Sequence, residues 1–204
     1  MVIQLNKKVG ELMEYASMIE KLKKVGIKFT DGLSDKEIEK IENTFGFKFP
    51  KEIASFLSYA YPINDSFFNY RNMSPENIKY FSDFQQRIEE SFLFDIENNT
   101  ESLQLMLEEF IGHYTEQNEF KNAVMNALHQ SPRLIPFYAH RCFFDGMDEM
   151  PIISFWQAID TIVYGSNLEN YLENEFILPE FSNNVLGEFS DEMKRTGIWY
   201  YIIE

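Results

Sequence analysis

Leu33-Ser34-Asp35-Lys36-Glu37-Ile38-Glu39-Lys40-Ile41-Glu42, continued by Phe45-Gly46-Phe47-Lys48-Phe49-Pro50-Lys51-Glu52-Ile53, is the stretch from which the rest of the chain can be organised. Ser34-Asp35-Lys36-Glu37 has the form of a capping box: the serine oxygen accepts from the third helical amide while Glu37 reaches back to the cap. Ile38, Ile41 and Phe45 then fall on one helical face, and Gly46 suits a left-handed stop. The apolar-x-apolar-Pro piece Phe47 to Pro50 leads into a third helix, with the proline in its first turn and Ile53, Phe56 and Leu57 on its inner face.

Upstream, Leu5, Val9, Leu12, Met13, Ala16, Ile19 and Leu22 recur in steps of three and four, which predicts an amphipathic helix from about Leu5 to Lys24 with Gly26 as its stop. Downstream, Ser74-Pro75-Glu76 opens a further helix whose buried side is Ile78, Phe81, Phe84 and Ile88. Phe92-Leu93-Phe94-Asp95-Ile96-Glu97 reads as a strand ending in the turn Asn98-Asn99. Glu101 to Gln130 is helical again, with a break near Gly112 to Asn118. After Pro132, Leu134 to Tyr138, Pro151 to Trp156 and Thr161 to Tyr164 are three short β-rich runs. Turns at Asp145-Gly146 and Ala158-Ile159-Asp160 separate them into an antiparallel meander. A helix from Asn167 to Phe176, a short one near Ser190 to Arg195 and a β-prone end at Ile198 to Ile203 complete a single α+β domain over residues 1–204.

The chain has 204 residues, 45% of them hydrophobic, with 20 Phe and 11 Tyr, enough for a core that needs neither disulfide nor metal. Cys142 is the single cysteine, which excludes an intramolecular disulfide and fits a reducing compartment. A formal charge of −15 and a pI near 4.6 disfavour nucleic-acid phosphates and anionic lipid, and favour basic proteins as partners. The same acidity also serves solubility. Met1 to Lys8 does not read as a signal peptide, and no run of about 18 apolar residues is present, so a cytoplasmic protein with no membrane association is expected.

No catalytic or cofactor signature stands out. The three histidines, His113, His129 and His140, form no H-E-x-x-H pair, and no nucleophile elbow, phosphate loop or dinucleotide fingerprint is present. Glu109 and His113 lie four apart on a helix, which suits an ion pair better than a metal site lacking a third ligand. Cys142 beside His140 and Arg141 invites a thiol-nucleophile reading. Strand alternation sends Cys142 and Arg141 to opposite faces, however, so a buried structural cysteine is expected. The chain therefore reads as a binding protein with no cofactor and no metal, rather than an enzyme.

The opening stretch, together with Phe94 to Asn99, Leu134 to Arg141 and Asp160 to Phe176 in that order, resembles the SUKH superfamily, the group named for the Smi/Knr cell-wall regulators. The resemblance covers about Leu33 to Phe176, leaving an N-terminal helix and a C-terminal extension outside it. Ala139 stands where such proteins often carry a glycine before His-Arg, and Thr100-Glu101-Ser102 where an aromatic pair is frequent. The resemblance implies an α+β fold with helices on one face of a mostly antiparallel sheet. It further implies an immunity protein that binds and neutralises a cognate toxin, often a nuclease. A regulatory or scaffolding module, or a small-molecule-binding protein or hydrolase with a pocket of converging polar groups, are the alternatives.

Two turn regions combine carboxylates with aromatic side chains, as an interface to a basic toxin domain would. One is Asp65, Phe67, Phe68 and Tyr70; the other is Phe143, Phe144, Asp145, Met147, Asp148 and Glu149. Both mixtures equally suit aromatics in a core with solvated carboxylates around them.

Overall fold

A computed structural model describes residues 15–178 and 191–203. The expected first half of the N-terminal helix and Ser190 lie outside those residues. Helix α1 (residues 15–24) stops where Gly26 takes a φ of 96°. Strand β1 (Phe29–Asp31) follows, then α2 (Asp35–Phe45), α3 (Lys51–Tyr59) and β2 (Ala60–Pro62), which pairs antiparallel with β1. The Ser34–Glu37 capping box is formed in both directions, and Gly46 closes α2 at φ 70° with its amide donated to the Glu42 carbonyl.

The long helix α4 (Pro75–Asn98) opens on the Ser74 cap and is followed by α5 (Thr100–Ile111) and α6 (Gln117–Gln130). Four strands then succeed one another: β3 (Leu134–Tyr138), β4 (Arg141–Phe144), β5 (Ile152–Gln157) and β6 (Asp160–Gly165). They form one antiparallel sheet in the order β3-β4-β5-β6. Helix α7 (Leu168–Leu172) continues into a π-helical turn at Glu173–Ile177, and a 3-10 turn at Asp191–Thr196 leads to α8 (Ile198–Ile202).

The side-chain alternation of the sheet divides the core in two. Ile135, Phe137, Phe143 and Ile152 face a cluster with Leu22, Ile41, Phe56 and Tyr171, from α1, α2, α3 and α7. Leu134, Cys142, Phe144, Ile153, Phe155 and Val163 face the other way, toward Phe92, Leu107, Val124 and Trp199, from α4, α5, α6 and α8. The α+β class is as expected, but helices cover both faces of the sheet rather than one. Gly165 allows α7 to lie close against β6: a Cβ there would sit 2.4 Å from the Tyr171 Cα.

Three local expectations are corrected. Phe92 to Glu97 is not a strand but the last two turns of α4, because Phe84, Ile88, Phe92 and Ile96 continue a buried stripe in steps of four. Ile198 to Ile203 is α8 rather than a strand, and only Ile203 makes a β-bridge, to Thr161. Arg141 to Phe144 is a strand in its own right, so the meander has four strands instead of three. The β1–β2 ribbon was not foreseen from the sequence at all.

Asp95 lies on the buried stripe of α4 and is fully inaccessible. Its carboxyl accepts from Asn99 Nδ2 at 2.7 Å, from Gln157 Nε2, and from the Ile159 amide at 3.2 Å. It thereby ties the C-terminal end of α4 to the β5–β6 turn. Asp95→Ala strands these three donors in the interior, which outweighs the relief of a buried carboxyl. It should lower stability by about 2–4 kcal/mol, read as a lower urea midpoint at unchanged slope.

Ala139, where the resembling proteins often have glycine, has a φ of 48° in the two-residue turn between β3 and β4. That conformation costs an L-residue about 1–2 kcal/mol, against about 0.5–1 kcal/mol of extra chain entropy lost by glycine. Ala139→Gly should therefore stabilise the protein by about 0.5–1 kcal/mol, a shift measurable in the same denaturation experiment.

Candidate functional site

Helix α3 has a defect at its start that the tertiary structure repairs. Its N-cap is Pro50, which offers no side-chain acceptor to the first amides. Asp148, in the loop between β4 and β5, accepts the Lys51 amide at 2.8 Å and also pairs with the Lys51 ammonium. In return, Glu52 accepts the Glu149 amide at 3.0 Å. The result is a reciprocal cap assembled from residues nearly a hundred positions apart. Beside it, the Lys48 amide donates to Asp145 Oδ1 at 2.8 Å, and Arg133 holds the other Asp145 oxygen at 2.7 Å.

This junction forms one wall of a half-open groove of about 820 Å³, closed by Tyr15 and Met18 of α1 and by residues 166–169 and Leu172 around α7. Four carboxylates, those of Glu52, Asp148, Glu149 and Glu169, line it with one ammonium, Lys51. Asp148 is held below the usual carboxylate range, first by the Lys51 side chain and then by the Lys51 amide. Glu52 is pushed up, chiefly by burial, with Asp148 and Glu149 adding repulsion. Among the described residues the Glu149 and Glu169 carboxylates join no ion pair. Glu149 also has a positive φ of 60°, an unusual conformation of the kind that collects at functional sites.

Of the residues expected in this loop, Asp148 and Glu149 reach the groove. Asp145 is engaged by Arg133 and Lys48. Phe143 and Phe144 are buried on opposite faces of the sheet, and Met147 packs against the α4–α6 side, so none of the three is an exposed anchor. In the other region Phe67 and Tyr70 are buried, the Tyr70 hydroxyl donating to the Pro136 carbonyl. Asp65 and the half-buried Phe68 line a second groove, near the β3–β4 turn and thus at the opposite end of the sheet. Glu52 and Glu169 were missed in the sequence. An N-cap proline without a capping side chain was the one available signal that an acceptor must come from elsewhere.

A buried polar cluster lies near that opposite end. Arg141 donates to Glu175 Oε2 at 2.9 Å, to Ser154 Oγ at 3.1 Å and to His140 Nε2, with its guanidinium carbon 3.5 Å from the centre of the Tyr164 ring. Burial, then Arg141, pushes the His140 pKa down, which suits a neutral ring accepting a hydrogen bond. The Tyr171 hydroxyl is buried with no hydrogen-bond partner among the described residues. Trp156, 73% exposed, meets the edge of His140. Cys142 is buried on the face opposite Arg141, and burial raises its thiol pKa, so it is not poised as a nucleophile. Among the described residues no three His, Cys, Asp or Glu side chains converge as a metal site would require, and no helix is long and apolar enough to cross a membrane.

A scan against family models, a search of curated proteins and a search of solved structures each return no match.

The raised Glu52 pKa makes a signed prediction. A carboxyl that protonates more readily in the folded than in the unfolded state costs stability above its folded pKa, and that cost disappears as pH falls through it. Glu52→Gln keeps an oxygen for the Glu149 amide and removes the charge. It should raise the urea midpoint at pH 7 and leave no gain below the ordinary glutamate range, near pH 3.5–4.

Proposed function

We propose that this chain is a non-enzymatic protein-binding domain, an immunity protein of the SUKH type that captures a basic toxin domain in the cytoplasm. The observation that carries the reading is the acidic groove at the α3 junction. It is large enough for several side chains, its rim is fixed by the Asp148–Lys51 and Glu149–Glu52 bonds, and the Glu149 and Glu169 carboxylates join no salt bridge among the described residues. The net charge of −15 adds a field that draws a basic protein from a distance. The order of motifs from the Ser34 cap through Gly46 and Pro50 to the Asn167-capped helix supports the family part of the proposal.

An inhibitor of this kind has to reach its target before damage is done, so rate matters as much as affinity. Steering by charge raises association rates by roughly one to three orders of magnitude, and salt removes that advantage. Carboxylates already committed to internal caps, such as Asp145 and Asp148, contribute to the field but are held by the fold. Glu149 and Glu169 are the ones available to pair with a partner's Lys or Arg.

The test is complex formation with the toxin encoded beside this chain, followed by stopped-flow association. The rate constant should fall by about tenfold or more between 20 and 200 mM salt. The double substitution Glu149→Lys and Glu169→Lys should slow association further and flatten the salt dependence. Absence of a complex, or a rate indifferent to both salt and charge reversal, would overturn the proposal.

A further inference from the structure

The second groove, about 340 Å³ in volume, lies between the 65–69 loop, the start of α4 and the end of β3. Its walls include the rings of Phe68, Tyr80 and Tyr138, with Asp65, Ser66, Asn69 and Asn77 among the polar side chains. Tyr80 is 51% exposed, and its ring lies nearly parallel to that of Phe68, with centroids 6.1 Å apart. The Asp65 side chain is exposed and takes part in no hydrogen bond or ion pair among the described residues. Among the described residues no Lys, Arg or His lines the groove.

We propose that this groove receives one guanidinium or ammonium side chain of a protein partner, the choice of a basic partner resting on the function proposed above. Three features select that occupant. Aromatic faces attract a cation through the negative potential above the ring. The Asp65 carboxylate at the wall, in no ion pair among the described residues, supplies the opposite charge. The volume takes a single long side chain but not a folded segment. An anion is disfavoured by Asp65 and by the charge of the whole chain.

The protein already uses this contact internally. Arg71 lies 4.6 Å from the Tyr61 ring centre and Arg141 3.5 Å from that of Tyr164. Arg87 reaches Tyr80 itself, at 5.2 Å, without lining the groove. Arginine is preferred over lysine as the occupant, because its planar, weakly hydrated group stacks on rings and can also bond a carboxylate edge. Arg87 is a resident positive charge beside the site, so its removal should favour an incoming cation.

The experiment is an NMR titration of the full chain with N-acetyl-arginine amide, using N-acetyl-citrulline amide as a neutral probe of nearly the same shape. Arginine should shift the ring signals of Phe68, Tyr80 and Tyr138, and citrulline should bind at least about fivefold more weakly. Asp65→Asn and Tyr80→Ala, both at exposed positions, should each weaken arginine binding about three- to tenfold, while Arg87→Gln should tighten it. Equal binding of citrulline, shifts that survive Asp65→Asn, or no shifts at these rings would overturn the site. Arginine binding here in a protein that captures no basic partner would retain the site and remove only its biological occupant. A basic-protein complex that forms without any response at these rings would overturn the site alone.

Discussion

A sheet whose strands carry apolar side chains on both faces cannot stand in water without two covers, and this requirement shapes the whole molecule. Ile135, Phe137 and Phe143 need α1–α3 and α7; Leu134, Phe144 and Ile153 need α4–α6 and α8. Burial at roughly 25 cal/mol per Å² of apolar surface is the dominant favourable term for both halves. With both faces covered, the places left for polar groups are the two ends of the sheet and its edges. The edges are partly covered as well, by the Phe67–Tyr138 and Thr161–Ile203 bridges. Grooves therefore form at the ends, where loops leave the strands.

Each end also carries a residue in an unusual conformation, Ala139 at one and Glu149 at the other. Ala139 lies in a two-residue turn of the meander that brings Tyr138 level with Arg141. Glu149 presents its amide to Glu52 while leaving its own carboxylate outside the cap. In both places the chain is bent by the packing of what flanks it: a buried hairpin in the first case and a helix start lacking its own cap in the second.

Much of the architecture was readable because local signals and tertiary packing agree over most of the chain. The Ser34 cap, the Gly46 stop, the Ser74-Pro75 start and the breaks around α5 and α6 depend on neighbouring residues only. The errors occur where a short window favours a period that a longer one rejects. Phe92-Leu93-Phe94 looks like a strand over six residues and like a helix over twelve. Ile198 to Ile202, rich in β-formers, is helical because Ile198, Trp199 and Ile202 then share one buried side. The candidate sites were less legible. Composition places carboxylates and rings in the same loops, but strand alternation decides that Phe143 and Phe144 point into two cores. Glu52 and Glu169 join the acidic groove only through contacts from distant elements.

The acidity of the chain consequently has two physical roles that composition cannot separate. Asp145, Asp148 and the inner oxygens of Glu52 satisfy amides and cations of the fold itself, and their negative charge reaches the surroundings already partly neutralised by Arg133 and Lys51. Glu149, Glu169 and Asp65 join no salt bridge among the described residues and line grooves at opposite ends of the sheet. Long-range attraction depends on all of them together and decays over about 10 Å at 0.1 M salt. Short-range selection depends on the few that remain unpaired next to a surface of suitable shape. A basic protein would thus be gathered by the whole molecule but discriminated at its ends. On the function proposed above, the acidic groove would suit several cationic groups at once, whereas the smaller aromatic groove would admit one.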